Sequence, residues 1–320
     1  MPNEPQHASA GGFHDGELVV QRRAGVATHA ARLSGMLAPT GLSDGIARFL
    51  AGRTFAALTA CDRAGRLWVS PLTGPPGFLA PSSATTLAID AGPAPGDPLH
   101  APPAGQPVGL VVIEFTTRRR VRINGSLAAV DTDILHIDVE QAYGNCPQYI
   151  RQRHLEPAPP AERHAQPVRR TSLTVRDATL IRRADTFFVG TAHPGRGADA
   201  SHRGGPPGFV RVENDHLWWP DYTGNNMFNT LGNLAVEPAA ALLFADFTTG
   251  ATLQLSGTAT VAWTDPGIPG DDDGTGRRLR FVSEAVVAGR LLPLRALVDT
   301  TAYHGYPPLT DERPDRLSAR

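Results

Sequence analysis

Gly74-Pro75-Pro76-Gly77-Phe78 returns later in the chain as Gly205-Pro206-Pro207-Gly208-Phe209. Other landmarks recur on either side of this turn. Upstream, Thr54-Phe55 matches Thr186-Phe187. Downstream, Glu114-Phe115-Thr116-Thr117 matches Asp246-Phe247-Thr248-Thr249, and Gly125 matches Gly257. The separation is 132 residues at both ends and slips by one around the Pro-Pro turn. A repeat of this length is a whole domain rather than a solenoid unit. The 320 residues therefore read as two copies of one fold facing each other.

The copies read as β structure. Residues 54–60 and 66–71 are strands around a turn at 61–65, and 86–90 is a third. A Pro-rich loop spans 91–107, and 108–115 with 121–130 form a hairpin. In that hairpin Val121 and Ile123 alternate with Arg122 and Asn124, the period of a half-buried strand. The second copy repeats the pattern at 186–192, 208–212, 216–219, 240–247 and 252–261, with a last strand at 277–287. Residues 226–236 read as a helix with Met227, Leu231 and Leu234 on one face. Residues 136–154 read as a short helix, a sharp turn and a further helical turn. Many short strands closed by a hairpin indicate an antiparallel barrel in each copy. The expected division is an N-terminal extension with short helices (1–50), a first barrel (51–135), a helical connector and linker (136–168), a second barrel (169–290) and a tail (291–320).

Bulk properties exclude several functions. Thirty basic and 31 acidic residues leave a net charge of −1, so nothing favours nucleic acid. No apolar run is long enough for a membrane helix, and the N-terminus lacks the layout of a secretory leader. Cys61 and Cys146 lie in unlike contexts, as reduced thiols do. A cytoplasmic protein is the expectation. Every basic side chain is arginine, which excludes a Schiff-base lysine and the usual P-loop.

The copies differ where a ligand would notice. Aligned at the Pro-Pro turn, His202 and Arg203 replace Pro71 and Leu72. Where the first copy has its Pro-rich loop, the second has Asp221-Tyr222-Thr223-Gly224-Asn225-Asn226-Met227-Phe228-Asn229-Thr230. This loop offers hydroxyl and amide donors ahead of a helix, whose first turn leaves N–H groups free for a phosphate. Arg203 adds a charge-assisted contact. The plainer reading is a helix cap beside two surface residues.

Residues 184–193, 201–205 and 222–234, with the stretch 143–150, resemble the flavin-nucleotide-binding proteins related to pyridoxamine 5'-phosphate oxidase. The resemblance covers about residues 13–290. It implies a mainly β protein with minor α content: two tandem split β-barrels of the FMN-binding type, paired within one chain as a pseudo-dimer, with a degenerate site in the first barrel. It implies FMN as cofactor, held by Ser201, His202, Arg203, Gly204, Tyr222, Thr223, Gly224, Asn225, Asn226 and Met227, with a polar flavin contact from Gln254. The Arg–Lys pair of the authentic oxidase's strand-to-helix loop is absent, and 277–320 lacks its Trp- and Arg-bearing substrate signature. An oxidoreductase acting on a small organic substrate is expected, rather than a strict pyridoxamine-phosphate oxidase.

Other readings stay open. A carrier of flavin, or of haem through His193 or His202, is the alternative; no His or Cys spacing marks a metal site. Arg120 or Arg122 either reaches across the groove or faces solvent. Cys146, with Arg151 and Arg153 nearby, is either a substrate-facing thiol or a packing residue. The partners implied are a small-molecule substrate and NAD(P)H as donor, with no nucleic acid or membrane, in a monomeric pseudo-dimer or a homodimer.

Overall fold

The structure, a computed structural model, describes residues 12–38, 41–158, 166–213, 216–268, 270–297, 305–307 and 309. Most of the N-terminal end (1–12), much of the linker (159–165) and most of the tail lie outside the described residues.

The N-terminal segment holds helices α1 (Asp15–Arg23), α2 (Ala27–Ala31) and α3 (Asp44–Ala51). The first sheet follows: β1 (Phe55–Cys61), β2 (Leu67–Thr73), β3 (Leu79–Pro81), β4 (Thr86–Asp90), β5 (Gln106–Glu114), β6 (Arg119–Asp131) and β7 (Ile134–Asn145). The connector carries β8 (Leu155–Pro157), β9 (Val168–Arg170) and α4 (Val175–Arg183). The second sheet has β10 (Thr186–His193), β11 (Gly197–Gly204), β12 (Arg211–Val212), β13 (Leu217–Pro220), β14 (Ala239–Ala245), β15 (Thr252–Trp263) and β16 (Arg277–Gly289). Helix α5 (Asn229–Leu234) lies between β13 and β14, and β17 (Leu294–Ala296) pairs with β8.

The two sheets share one strand order. The first runs β2-β1-β5-β6-β7-β4-β3, the second β11-β10-β14-β15-β16-β13-β12. Local devices repeat as well. Ser43 caps α3 by accepting from the Ile46 amide, and Thr174 caps α4 through Asp177. In the Pro-Pro turns, Phe78 donates its amide to Pro75 and Phe209 to Pro206, at 3.0 and 2.9 Å. Gly77 and Gly208 sit there at φ 97° and 93°, which only glycine adopts cheaply. Gly125 and Gly257 each sit at a bulge, where a Cβ would strike the backbone of the next strand.

Apolar residues form one cluster inside each barrel and a third between them. Phe55, Val111, Ile113 and Phe115 of the first barrel meet Phe188, Leu243 and Phe247 of the second in that shared layer. Phe55 lies 5.4 Å from Phe188 and 5.7 Å from Phe247 between ring centroids. At roughly 1.5–3 kcal/mol for each fully buried large side chain, this layer holds the barrels face to face. The chain is mainly β, a pair of tandem split barrels.

Three sequence readings need correction. First, Thr54-Phe55 and Thr186-Phe187 are matched out of phase. Phe55 belongs to the layer between barrels, whereas Phe187 lies inside the second. Ala56 pairs with Leu72 and Val112 as Phe187 pairs with Arg203 and Phe244, so the correspondence in β1 and β10 is one residue shorter. A one-residue slip exchanges the faces of a strand, which is why packing detects it. Second, residues 136–145, read as helical, form most of strand β7. Leu135, Ile137 and Val139 point inward between exposed Asp138 and Glu140, an alternation that the helical reading overlooked. Third, β11 went unread, because Gly197-Ala198-Asp199-Ala200-Ser201 has none of the branched or aromatic residues that mark strands.

Candidate functional site

Strands β11 and β6 meet across the interface, and β6 brings arginines. Arg122 Nη1 contacts both carboxylate oxygens of Asp199 at 3.0 Å, and its Nη2 donates to Ser201 Oγ at 2.6 Å. Burial disfavours both charges of this pair, but Asp199 more than compensates the guanidinium and holds its pKa above the usual value. Two residues along β6, Arg120 donates from Nη1 to His202 Nδ1 at 3.0 Å. An arginine only donates, so Nδ1 accepts and the imidazole proton resides on Nε2. That Nε2 is buried without a partner among the described residues. Burial, followed by Arg120, Arg153 and Arg203, drives the His202 pKa far below normal, so the ring stays neutral. Burial and then the neighbouring Arg122 and Arg203 lower Arg120 itself to about 9.

These residues line a cleft between the barrels, about 790 Å³ with its open mouth included. The first barrel contributes Arg120 and Arg122, and the segment after β7 contributes Asn145, Cys146, Gln148 and Tyr149. The second contributes Ser201, His202, Arg203 and Gly204 from β11, and Asp221, Tyr222, Gly224, Asn225, Asn226 and Phe228 to Leu231 from the loop and α5. The loop is tied across the mouth: Asn225 donates to Asn145 at 2.8 Å, and the Tyr149 hydroxyl donates to the Thr223 carbonyl at 3.0 Å. Arg203 and Arg277 share Asp221, each at 2.8 Å.

The cleft is rich in donors and positive charge. Arg120, Arg122 and Arg203 line it with Asp221; counting the partners behind the wall, Arg277 and Asp199, four guanidiniums stand against two carboxylates among the described residues, a surplus of two charges. Nε of Arg120 and Arg203, Nε2 of His202, Nδ2 of Asn145 and the hydroxyls of Tyr222 and Thr230 are all buried without partners among the described residues. Native proteins rarely leave such groups unsatisfied, and donors gathered in one place suit an anion that accepts from several at once.

Most residues picked from the sequence meet here. Ser201, His202, Arg203, Gly204, Tyr222, Gly224, Asn225, Asn226 and Cys146 line the cleft. Thr223 and Met227 do not. Thr223 turns its carbonyl to Tyr149, and Met227 is buried against Leu37 and Tyr143. The helix expected from 226 starts at Asn229 after a left-handed Phe228 and has six residues, so the cradle rests on side chains more than on a helix end. Gln254 lies elsewhere. It donates to Ser70 Oγ at 2.9 Å and to Asp97 at 3.0 Å. Its place in the second sheet is that of Arg122 in the first, just as Ser70 corresponds to Ser201. Gln254 therefore marks the mirror-image groove, which Asp97 from the Pro-rich loop fills. His193 packs on His14 with ring centroids 4.3 Å apart, and its Nδ1 accepts from the Gly195 amide, outside the cleft. The counter-ions Asp199 and Asp221 and the wall residues Asn145, Gln148 and Tyr149 were not singled out beforehand. The resemblance covered that wall stretch without giving its residues roles.

A family model described as pyridoxamine 5'-phosphate oxidase matches residues 173–270. No curated protein sequence matches the chain. Among solved structures, a protein of the pyridoxinephosphate oxidase family from Clostridium acetobutylicum, related to general stress protein 26, is 20% identical. It covers 38% of this chain and 92% of its own, with a TM-score of 0.28. A FAD-binding protein from Mesorhizobium loti is 11% identical over 38% of this chain and 97% of its own, at 0.27. HutZ, the heme storage protein of Vibrio cholerae, is 13% identical over 36% and 92%, also at 0.27. The matched stretch falls within the second barrel, which is the part of the chain similar to the pyridoxamine 5'-phosphate oxidase family.

Proposed function

We propose that the protein binds FMN in the inter-barrel cleft and works as an oxidoreductase on a small organic substrate. The observation that carries this reading is the pairing of a two-charge surplus with a ring of unpartnered donors. A phosphate monoester is a dianion with several acceptor oxygens, which matches both. Arg120, Arg203 and His202 Nε2 would hold the phosphate. The amides of Asn225 and Asn226 and the Tyr222 ring would face the remainder of the molecule. When bound, the flavin supplies the electron chemistry, and the protein supplies position and electrostatics.

His202 favours flavin over haem. Arg120 fixes its proton on Nε2, the nitrogen left without a partner among the described residues, and an axial iron ligand needs a bare nitrogen there. Cys146 lines the same cleft as a partly exposed free thiol, where a substrate beside the flavin would meet it. The facing barrels supply within one chain the pairing that encloses the groove.

Arg203→Ala tests the assignment against Leu72→Ala, the corresponding position of the first barrel. Losing one charge-assisted contact costs about 1.5–3 kcal/mol, so FMN affinity should fall roughly 10- to 150-fold in the first variant. The folded fraction of the second should keep its flavin. Equal loss in both, read by released flavin fluorescence, contradicts the site.

A further inference from the structure

A second cleft lies on the far side of the segment that walls the first. It has about 1250 Å³ with its mouth included. Helix α4 builds one wall by its periodicity: Asp177 and Ile181 are buried, so Arg176, Thr179, Leu180 and Arg183 share the opposite side and line the cleft. Arg151 and Arg153 close another wall by pairing with Asp185, and Arg290 comes from the end of β16. Leu180, Ala184, Ala245 and Phe247 give an apolar floor.

Five guanidinium groups thus face two carboxylates, Asp185 and Asp246, a surplus of three. Asp185 is occupied by Arg151 and Arg153, and Asp246 accepts from the Thr248 and Thr249 amides of its own turn. Arg176, Arg183 and Arg290 are exposed and have no ionic or hydrogen-bond partner among the described residues. The first barrel serves as an internal control. Ser43 corresponds to Thr174 and Leu50 to Ile181, which puts Gly45 and Gly52 where Arg176 and Arg183 stand. The two arginines on the outer face of α4 therefore have no counterparts on α3, although the first barrel bears Arg48, Arg53 and Arg119 at neighbouring positions.

The geometry points to this cleft as the binding site for a nucleotide bearing several phosphate charges, with an apolar base or ring against Leu180 and Ala184, beside the Arg153 guanidinium that covers Phe247. Nicotinamide reductants have this chemistry. The two clefts lie on opposite sides of one segment, so the proposal is of binding alone, without hydride transfer to a flavin, and it does not rest on the FMN reading above. The segment between β7 and β8 joins the two sites. Its residues Cys146, Gln148 and Tyr149 line the first cleft, and Arg151 and Arg153 line the second.

The experiment titrates NADPH, NADH and inorganic tripolyphosphate calorimetrically into purified protein of measured FMN content. It compares wild type with Arg176→Gln/Arg183→Gln, two exposed changes that leave the core alone. NADPH should bind wild type, with tripolyphosphate competing. The double variant should raise its Kd at least tenfold and flatten its salt dependence, with FMN content unchanged. Arg203→Ala should lose FMN and keep the NADPH titration, which separates failure of one site from failure of the other. No NADPH binding to wild type, or equal Kd in wild type and the double variant, overturns the proposal. So does loss of the NADPH titration in Arg203→Ala.

Discussion

Replacing Arg120 by leucine should stabilise the ligand-free protein and weaken FMN binding, two effects of opposite sign. Arg120 has no carboxylate partner among the described residues; its polar contact is the neutral His202 ring. Burial, with Arg122 and Arg203 nearby, lowers its pKa from the ordinary arginine value to about 9. For a base with a depressed folded-state value, the charged form is the disfavoured one. The penalty is absent where the unfolded arginine is neutral too, grows as pH falls from there towards 9 and is fully present at pH 7. Taken whole, the displacement is roughly 4–5 kcal/mol. One edge of the side chain still faces the cleft, and screening there reduces it to about 2 kcal/mol. Leucine fills similar space without a charge, so urea unfolding of the apo-protein should show a gain of about 1–2 kcal/mol. In the complex the same guanidinium meets a phosphate, and its removal should cost about 1.5–3 kcal/mol, a 10- to 150-fold rise in the FMN Kd by fluorescence quenching. A structural arginine would lower both quantities together. If Arg120→Leu destabilises the apo-protein, or leaves the FMN Kd unchanged, the strained-cation argument is wrong.

Two further changes probe the frame around the site. Asp97 and Glu17 are both raised chiefly by burial, to about 6 and about 7, so each favours its protonated form in the fold. The stability that each contributes is complete below about 4 and is lost as pH climbs through those values. Asp97→Asn mimics the protonated acid, so it should be neutral near pH 4 and stabilising by about 2 kcal/mol above pH 6. A difference in melting temperature from wild type that does not vary with pH would dismiss this. Gly190→Ala places a Cβ 2.6 Å from Thr59 Cγ2 and 2.7 Å from Val69 Cγ2, and should cost about 1–3 kcal/mol. Thr59→Ala removes the two clashing threonine atoms, one of them a buried hydroxyl without a partner among the described residues, and leaves Val69 Cγ2, so the double variant should recover part of the loss. No recovery in that cycle would mean that the barrels do not touch there.

The fold was legible because its punctuation repeats. The Pro-Pro-Gly turns need positive φ at Gly77 and Gly208, and the bulges need glycine at 125 and 257, so the same letters mark the same bends. The layer between barrels was not legible. Facing strands that approach so closely demand small residues, as where a Cβ on Gly109 would stand 2.7 Å from Asp199 Cα. Ala198 to Ser201 answer that demand and look like a loop when read alone. The site was half legible for a related reason. His202 and Arg203 stood out by their difference from Pro71 and Leu72, yet their meaning depends on Arg120 and Arg122, more than 75 residues earlier in sequence.

The two grooves show how a duplicated fold yields one site. Backbone order, register and the serine on the interface strand are shared, so geometry alone does not choose between them. What chooses is a single correspondence. Arg122 stands on β6 where β15 has Gln254, and the serine beside each is Ser201 or Ser70. A neutral amide leaves room for a carboxylate, and Asp97 enters that groove and is held by Ser70, the Leu99 amide and Gln254. Its raised pKa shows that the groove does not welcome negative charge. In the other groove Arg122 brings a cation that Asp199 neutralises from behind, and Arg120 and Arg203 add charge that Asp221, shared with Arg277, does not fully balance among the described residues. One groove is completed by the protein's own loop, and the other is electrostatically incomplete until an anion arrives.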